Sequence, residues 1–174
     1  IPEVSETTRI PGNLALSVAE RRQRADRYYW PFQHAVGALL DRRRSSGQPT
    51  LVFGIHSFTP VFKGFVRPWH AGVLFRRSRR FGEALVEALR APGLVVEANE
   101  PYTITDDGDY TVPVHGESRG LDAVLIEVRQ DLIAQEAGAL AWADRLAVVM
   151  RRLEPSIIET QSEPVSAALT SRRV

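Results

Sequence analysis

The chain has 174 residues, 44% hydrophobic and 25% charged, the proportions of a globular domain, which excludes a disordered chain. Twenty-two basic residues against twenty-one acidic ones leave a net charge of +1, so no whole-chain field draws it to nucleic acid or to an anionic membrane. Cysteine is absent, which excludes disulfides, thiolate nucleophiles and cysteine-based zinc or iron–sulfur sites. No apolar run approaches the roughly 20 residues that span a bilayer. The first residues, Ile1-Pro2-Glu3-Val4-Ser5-Glu6, carry neither the basic nor the apolar region of a secretory signal. A reducing compartment is compatible with this composition, and a cytoplasmic location is expected.

Residues 1–16 are turn-rich and predict a loop. Ser17 with Glu20 three residues on is a capping box, in which each side chain satisfies an orphan amide at a helix start. From Val18 to about Arg44 apolar residues recur at helical spacing, and Tyr28, Phe32, Ala35, Val36, Leu39 and Leu40 form the expected inner face. Pro31 should bend this helix, because it removes a backbone donor and crowds the preceding turn. Thr50 to Ser57 is a short apolar run bounded by turn signals, the pattern of a buried strand. Residues 58–70 predict a loop, and Ala71 to Phe75 a second strand. Arg79 to Ala91 is helical, with Phe81, Leu85 and Leu89 spaced by fours, and Pro92-Gly93 closes it. Leu94 to Ala98 is a third strand. Residues 99–120 form a long polar loop with one short helix near Val112 to Glu117. Ala123 to Arg129 is a fourth strand, and Ala134 to Leu153 a final amphipathic helix. The domain is therefore expected over residues 1–153, with residues 154–174 a disordered tail rich in Ser, Thr, Glu and Arg.

Strands alternating with helices predict an α/β fold of three layers, a mostly parallel or mixed sheet between helices. In such sheets ligands bind beyond the carboxyl ends of the strands. His56 ends the first strand, Asn99-Glu100 follows the third and Glu127-Val128-Arg129 ends the fourth. The two long loops, 58–70 and 99–120, are expected to leave from that same edge.

His56 reads either as a core histidine or as a metal ligand, since neutral imidazole is a common zinc ligand. Glu127 lies inside an apolar strand, where an ionised carboxylate is costly unless paired or put to use. It is either paired with an Arg or a general base tuned by its surroundings. Arg129 projects to the same side by the strand period of two, as a structural partner or as a clamp on a substrate carboxylate. Arg67-Pro68-Trp69-His70 places a cation, an apolar ring and an imidazole on one loop, and His115-Gly116-Glu117-Ser118-Arg119-Gly120 does similarly. Asp106, Asp107 and Asp109 depart from calcium-loop spacing and read as a solvated turn. The Arg clusters at 42–44, 76–77 and 79–80 lack interleaved aromatics and read as solvated faces. Ser57 has no nucleophile elbow around it, which argues against a serine hydrolase.

The stretches Ile55-His56-Ser57-Phe58-Thr59-Pro60, Arg67-Pro68-Trp69-His70, Asn99-Glu100-Pro101-Tyr102, Val114-His115-Gly116-Glu117 and Ile126-Glu127-Val128-Arg129-Gln130 resemble the N-formylglutamate amidohydrolase family. The resemblance runs from about Ile1 to Leu153. It implies a hydrolase dependent on zinc or another divalent metal, with a fold like that of zinc carboxypeptidases. The reaction it implies splits N-formyl-L-glutamate, or a related N-acyl amino acid, into the acid and the free amino acid, a late step of bacterial histidine breakdown. By that resemblance His56 is the third metal ligand and Glu127 the general base and acid. His115 is a second catalytic residue, and Arg67, Trp69, His70, Asn99, Arg119 and Arg129 are substrate contacts. Which Arg holds the substrate's carboxylates and which faces the developing oxyanion stays open. The family's first two metal ligands sit in an upstream segment that nothing here matches. These residues alone are therefore expected to lack a complete metal site, with a sheet edge left for that segment or another chain to cover. A non-catalytic small-molecule binding domain and a related deacylase or peptidase are the competing readings.

Overall fold

The computed structural model describes residues 1–91 and 93–162, with side chains as far as residue 158. The first sixteen residues hold a small hairpin, β1 (Val4–Ser5) and β2 (Thr8–Arg9), and a 3-10 turn over Pro11–Asn13. The capping box then forms as its residue types dictate. Ser17 Oγ accepts from the Glu20 amide, and the Glu20 carboxylate accepts from the Ser17 amide at 2.8 Å. Helix α1 (Val18–Arg24) passes through a π-helical turn (Ala25–Tyr29) into α2 (Trp30–Ser45). The π turn immediately precedes Pro31, whose ring and missing amide disfavour a regular α-helical turn there.

The inner face of α2 is narrower than its apolar spacing suggests. Gly37 and Leu40 are buried, and Val36 packs against the cluster that contains Leu40, Val52 and Leu74. Tyr28 is 67% exposed, Phe32 63%, and Leu39 and Ala35 are also exposed. Arg119 lies against Gly37, where a Cβ would come within 3.1 Å of its Nη2. Among the described residues, nothing covers the remaining apolar side chains.

After α2 come β3 (Leu51–Phe58), a hairpin of β4 (Val61–Phe62) and β5 (Phe65–Val66), β6 (Ala71–Leu74), α3 (Arg79–Leu89), β7 (Val96–Ala98), β8 (Asp122–Arg129) and α4 (Glu136–Ser162). The hairpin occupies the middle of the predicted loop 58–70. A π turn (Thr111–Gly116) and a 3-10 turn (Glu117–Arg119) form where a short helix was expected. The main sheet has the order β3-β8-β6-β7. β3 pairs parallel with β8 and β6 parallel with β7, whereas β6 and β8 are antiparallel. The sheet is mixed, and β3 is an edge strand.

Helices α3 and α4 cover one face, packing Phe81, Leu85, Leu89, Trp142, Leu146 and Val149 onto Val73, Val124, Ile126 and Val128. The other face carries Val52, Leu74, Ala123 and Leu125 beneath Leu40, Ile104 and Val112. This is the three-layer arrangement expected. No described helix is long and apolar enough to cross a membrane.

Two expectations are corrected. Helix α4 does not stop at residue 153 but continues through Pro155 to Ser162, because its apolar period persists and Ile157 is buried in the core. Residues 163–174 of the expected tail, and Pro92, lie outside the described residues. The second correction concerns strand direction. Because β6 and β7 oppose β3 and β8, Asn99 does not stand at the edge where His56 and Glu127 stand. Asn99 instead turns the chain with a positive φ of 55°, and its Oδ1 accepts from the Phe75 amide at 2.9 Å. The chain then doubles back across the sheet face over Gly72, where a Cβ would lie 1.6 Å from the Glu100 carbonyl oxygen. Loop 99–120 thus reaches the site from above the sheet.

Candidate active site

The parallel register of β3 and β8 sets His56 beside Glu127. Each is the third residue from the carboxyl end of its strand, so both side chains share one face of the sheet. His56 Nδ1 lies 3.8 Å from Glu127 Oε1, well inside the roughly 7 Å that one bridging water spans. The two differ in their surroundings. His56, on the edge strand, has 53% of its side chain exposed, whereas the Glu127 side chain is 7% exposed.

Glu127 Oε2 is buried with no hydrogen-bond partner. Burial pushes the Glu127 pKa up to about 7, with Arg67 pulling it down and Asp109 pushing it further up. A carboxyl that titrates near neutrality can both accept and return a proton. The Arg pairing open to a buried carboxylate belongs to Glu117 instead. Its carboxylate accepts from Arg76 at 2.5 Å and from the Arg77 amide at 3.1 Å. Burial raises the Glu117 pKa, but those hydrogen bonds outweigh it and hold the group below the usual carboxylate range.

The three candidate arginines are placed very differently. Arg129 forms a fork to Asp131, at 2.8 and 3.2 Å, and its third nitrogen donates to the carbonyls of Arg67 and Trp69. It ties loop 67–70 to the end of β8. Arg119 donates to Asp41 at 2.8 Å and to the Val114 carbonyl at 2.7 Å, which fastens the 111–119 turns to α2. Arg67 is 4% exposed and has no carboxylate partner among the described residues. Its Nη1 donates to the Thr59 carbonyl and hydroxyl, at 3.1 and 3.2 Å. The guanidinium carbon lies 4.7 Å from the Phe62 ring centre, 4.9 Å from Tyr102 and 5.6 Å from Phe58. Loops 58–70 and 99–120 meet on this cation.

His115 is buried on the π turn, with Nε2 2.6 Å from Gln33 Oε1 and its ring edge-on to Tyr110. Burial, reinforced by Arg119, lowers its pKa. Its Nδ1 is buried without a partner. His70 Nδ1 accepts from the Val95 amide at 3.0 Å, which joins the starts of β6 and β7. Trp69 is half-buried against Phe65. The structure thus gathers Glu127, His56 and Arg67, and gives Arg119, Arg129 and Asn99 bonds that brace the loops around them.

The model of the N-formylglutamate amidohydrolase family matches residues 1–134. The chain belongs to that family. It is similar to a solved gene product of Agrobacterium tumefaciens, with 36% identity over 90% of this chain and a TM-score of 0.82. It is also similar in fold to a solved N-formylglutamate amidohydrolase of Ralstonia eutropha, with 20% identity over 83% of the chain and a TM-score of 0.59. The chain spans 62% of the first structure's length and 55% of the second's. No curated protein matches it.

A catalytic zinc normally takes three protein ligands and leaves one position open. Among the described residues, no three His, Asp or Glu side chains form a group that could hold a metal. His56 and the unpartnered Glu127 oxygen suit one corner of such a centre, but the residues present do not make a whole one. The sequence reading missed the rings around Arg67 and the bond from His115 to Gln33. Phe58, Phe62 and Tyr102 come from three separate segments, so no local period announces them. Gly72 carried a faint signal, a glycine inside an apolar strand, which often marks close backbone approach.

Proposed function

We propose that this chain carries the proton-transfer part of an amidohydrolase site acting on N-formyl-L-glutamate or a related N-acyl amino acid. The observation that carries this reading is Glu127, a buried carboxyl that titrates near 7 beside an exposed imidazole at a sheet edge. Membership of the N-formylglutamate amidohydrolase family supports the reaction type. Glu127 takes a proton from water as the oxygen attacks the formyl carbon. It then returns that proton to the leaving nitrogen as the C–N bond breaks, which releases formate and the amino acid. His56 orients the water and the carboxyl together. His115 helps to orient the substrate from the π turn.

The proposal includes a divalent metal, zinc by preference, with His56 as the ligand these residues supply and the others lying outside the described residues. It also includes a fold of the zinc-carboxypeptidase kind, a small-molecule substrate rather than nucleic acid or membrane, and a cytoplasmic role in bacterial histidine breakdown. A non-catalytic binding domain is the second reading, and the absence of a ligand trio among the described residues favours it. Formate release from N-formyl-L-glutamate, N-acetyl-L-glutamate and formyl peptides, with zinc added and then chelated, separates the readings. Hydrolysis of the formyl amino acid that chelation abolishes supports the proposal. Binding without turnover under every condition supports the alternative.

A further inference from the structure

The 111–119 turns lie on the sheet face that carries His56 and Glu127. Val112 belongs to the apolar cluster with Ala123 and Leu125 on that face, and a Cβ on Gly54 would come 3.5 Å from Thr111 Cγ2. Gly54 precedes His56 by two residues, so the start of the π turn stands one pleat row, roughly 7 Å, from that imidazole. Helix α2 holds these turns along one side. Gln33, Gly37 and Asp41 recur every four residues, the spacing of neighbours on a helix face. Asp41 accepts from Arg119 at 2.8 Å, and Gly37 leaves room for that guanidinium. Gln33 meets His115, with Oε1 2.6 Å from Nε2. Among the described residues Gln33 is the ring's only hydrogen-bond partner, because Nδ1 has none. Tyr110 stands edge-on to the same ring, 5.2 Å between centres, and Tyr29, one helical turn before Gln33, stands edge-on to Tyr110. The last torsion of a histidine is broad and roughly two-fold, so packing against an aromatic edge does not choose between the ring and its flipped form. The bond to Gln33 does.

We propose that Gln33 is a positioning residue of the site, which acts by holding the His115 imidazole in one orientation from the side of α2. This rests on reading His115 as a residue of the hydrolase site, but its first test does not depend on turnover. Gln33→Leu removes the bond and nearly keeps the volume, so the ring is freed to turn. A small misplacement of a site group costs up to about 10²-fold in rate, and formate release should fall by roughly 10- to 100-fold in kcat/KM. Gln33→Glu keeps an acceptor in the same place and adds a charge. The His115 ring, whose pKa burial and Arg119 lower in the unaltered chain, should then take up its proton about 1–3 pH units higher. Asp41 and Arg119 are the other charged groups that act on it. The Glu variant should also recover part of the rate that the Leu variant loses.

The ring resonances of His115 are followed by nuclear magnetic resonance across the pH range in the unaltered chain and both variants, and formate release is measured on the same samples with zinc added. Gln33→Glu, nearly isosteric, keeps the test decisive if Gln33→Leu fails to fold. The expected result is a ring whose resonances shift in the Leu variant and whose titration midpoint rises in the Glu variant. Ring resonances and midpoints that are the same in all three proteins would overturn the proposal. So would a Leu variant whose ring has moved but which releases formate within about two-fold of the unaltered rate. An unaltered chain that releases no formate removes the hydrolase reading, and the ring titrations alone then decide whether Gln33 holds His115.

Discussion

Glu127→Gln exchanges a buried, titratable carboxyl for an amide of nearly the same shape, and its effect on stability follows from the fold alone. Burial raises the pKa from its ordinary 4.5 to about 7. That difference corresponds to about 3 kcal/mol between the two protonation states. The sign is fixed by which state binds the proton more tightly, and here it is the folded one. Stability from this group is therefore fully present below pH 4.5, declines as the pH rises toward 7, and is lost above it. Gln carries no such penalty. In metal-free buffer, the variant should match the unaltered chain at pH 4 and exceed it at pH 8.5. For a domain of this size about 3 kcal/mol is roughly 6–12 °C in Tm, which thermal unfolding followed by circular dichroism resolves easily. A variant that is less stable at pH 8.5, or a difference that does not change with pH, would refute the claim that burial raises the Glu127 pKa.

Gly72→Ala places a Cβ 1.6 Å from the Glu100 carbonyl, so loop 99–102 must move. We expect a loss of roughly 1–3 kcal/mol in denaturant unfolding. Glu117→Ala leaves the Arg76 cation without its buried partner and should cost about 3 kcal/mol, the lower end for such pairs because Arg76 is partly exposed. Because the Glu117 pKa is lowered, its contribution is present above the ordinary carboxylate range and fades as the pH falls below it, so the variant's deficit should shrink in acid. Zinc titrated into the 174-residue chain should bind more weakly than micromolar, because His56 is a single imidazole. Submicromolar affinity by competition with a chelating dye would show that these residues hold a full ligand set.

Much of this architecture was legible in the sequence because local periods are strong there. Phe81, Leu85 and Leu89 recur every four residues and bury as expected, and Glu127 stood out as a carboxylate in an apolar strand. Strand direction was not legible. Alternating strands and helices fit parallel and mixed sheets alike, and β6 reverses only because the 58–70 hairpin returns to the same edge. The positive φ at Asn99 that sends the next loop back over Gly72 has no signature beyond Asn's tolerance of that region. On α2, Arg119 reaches Gly37 from a distant segment, a contact that helical spacing cannot reveal. The end of α4 was misplaced because polar composition outweighed a single buried residue, Ile157. The division of labour among the arginines rests on Asp41 and Asp131, whose pairings appear only in three dimensions.

The central claim is that Glu127 moves the proton in amide hydrolysis, and the pH dependence of kcat/KM for formate release from N-formyl-L-glutamate tests it most directly. That profile reports the essential groups of the free enzyme. The rate should climb with pH through the ionisation in which Glu127 loses its proton, and then level off. Glu127→Gln should lower it about 10²- to 10⁴-fold and erase that limb. A profile flat from pH 5 to 9, or a Gln variant within a few-fold of the unaltered protein, would contradict the account.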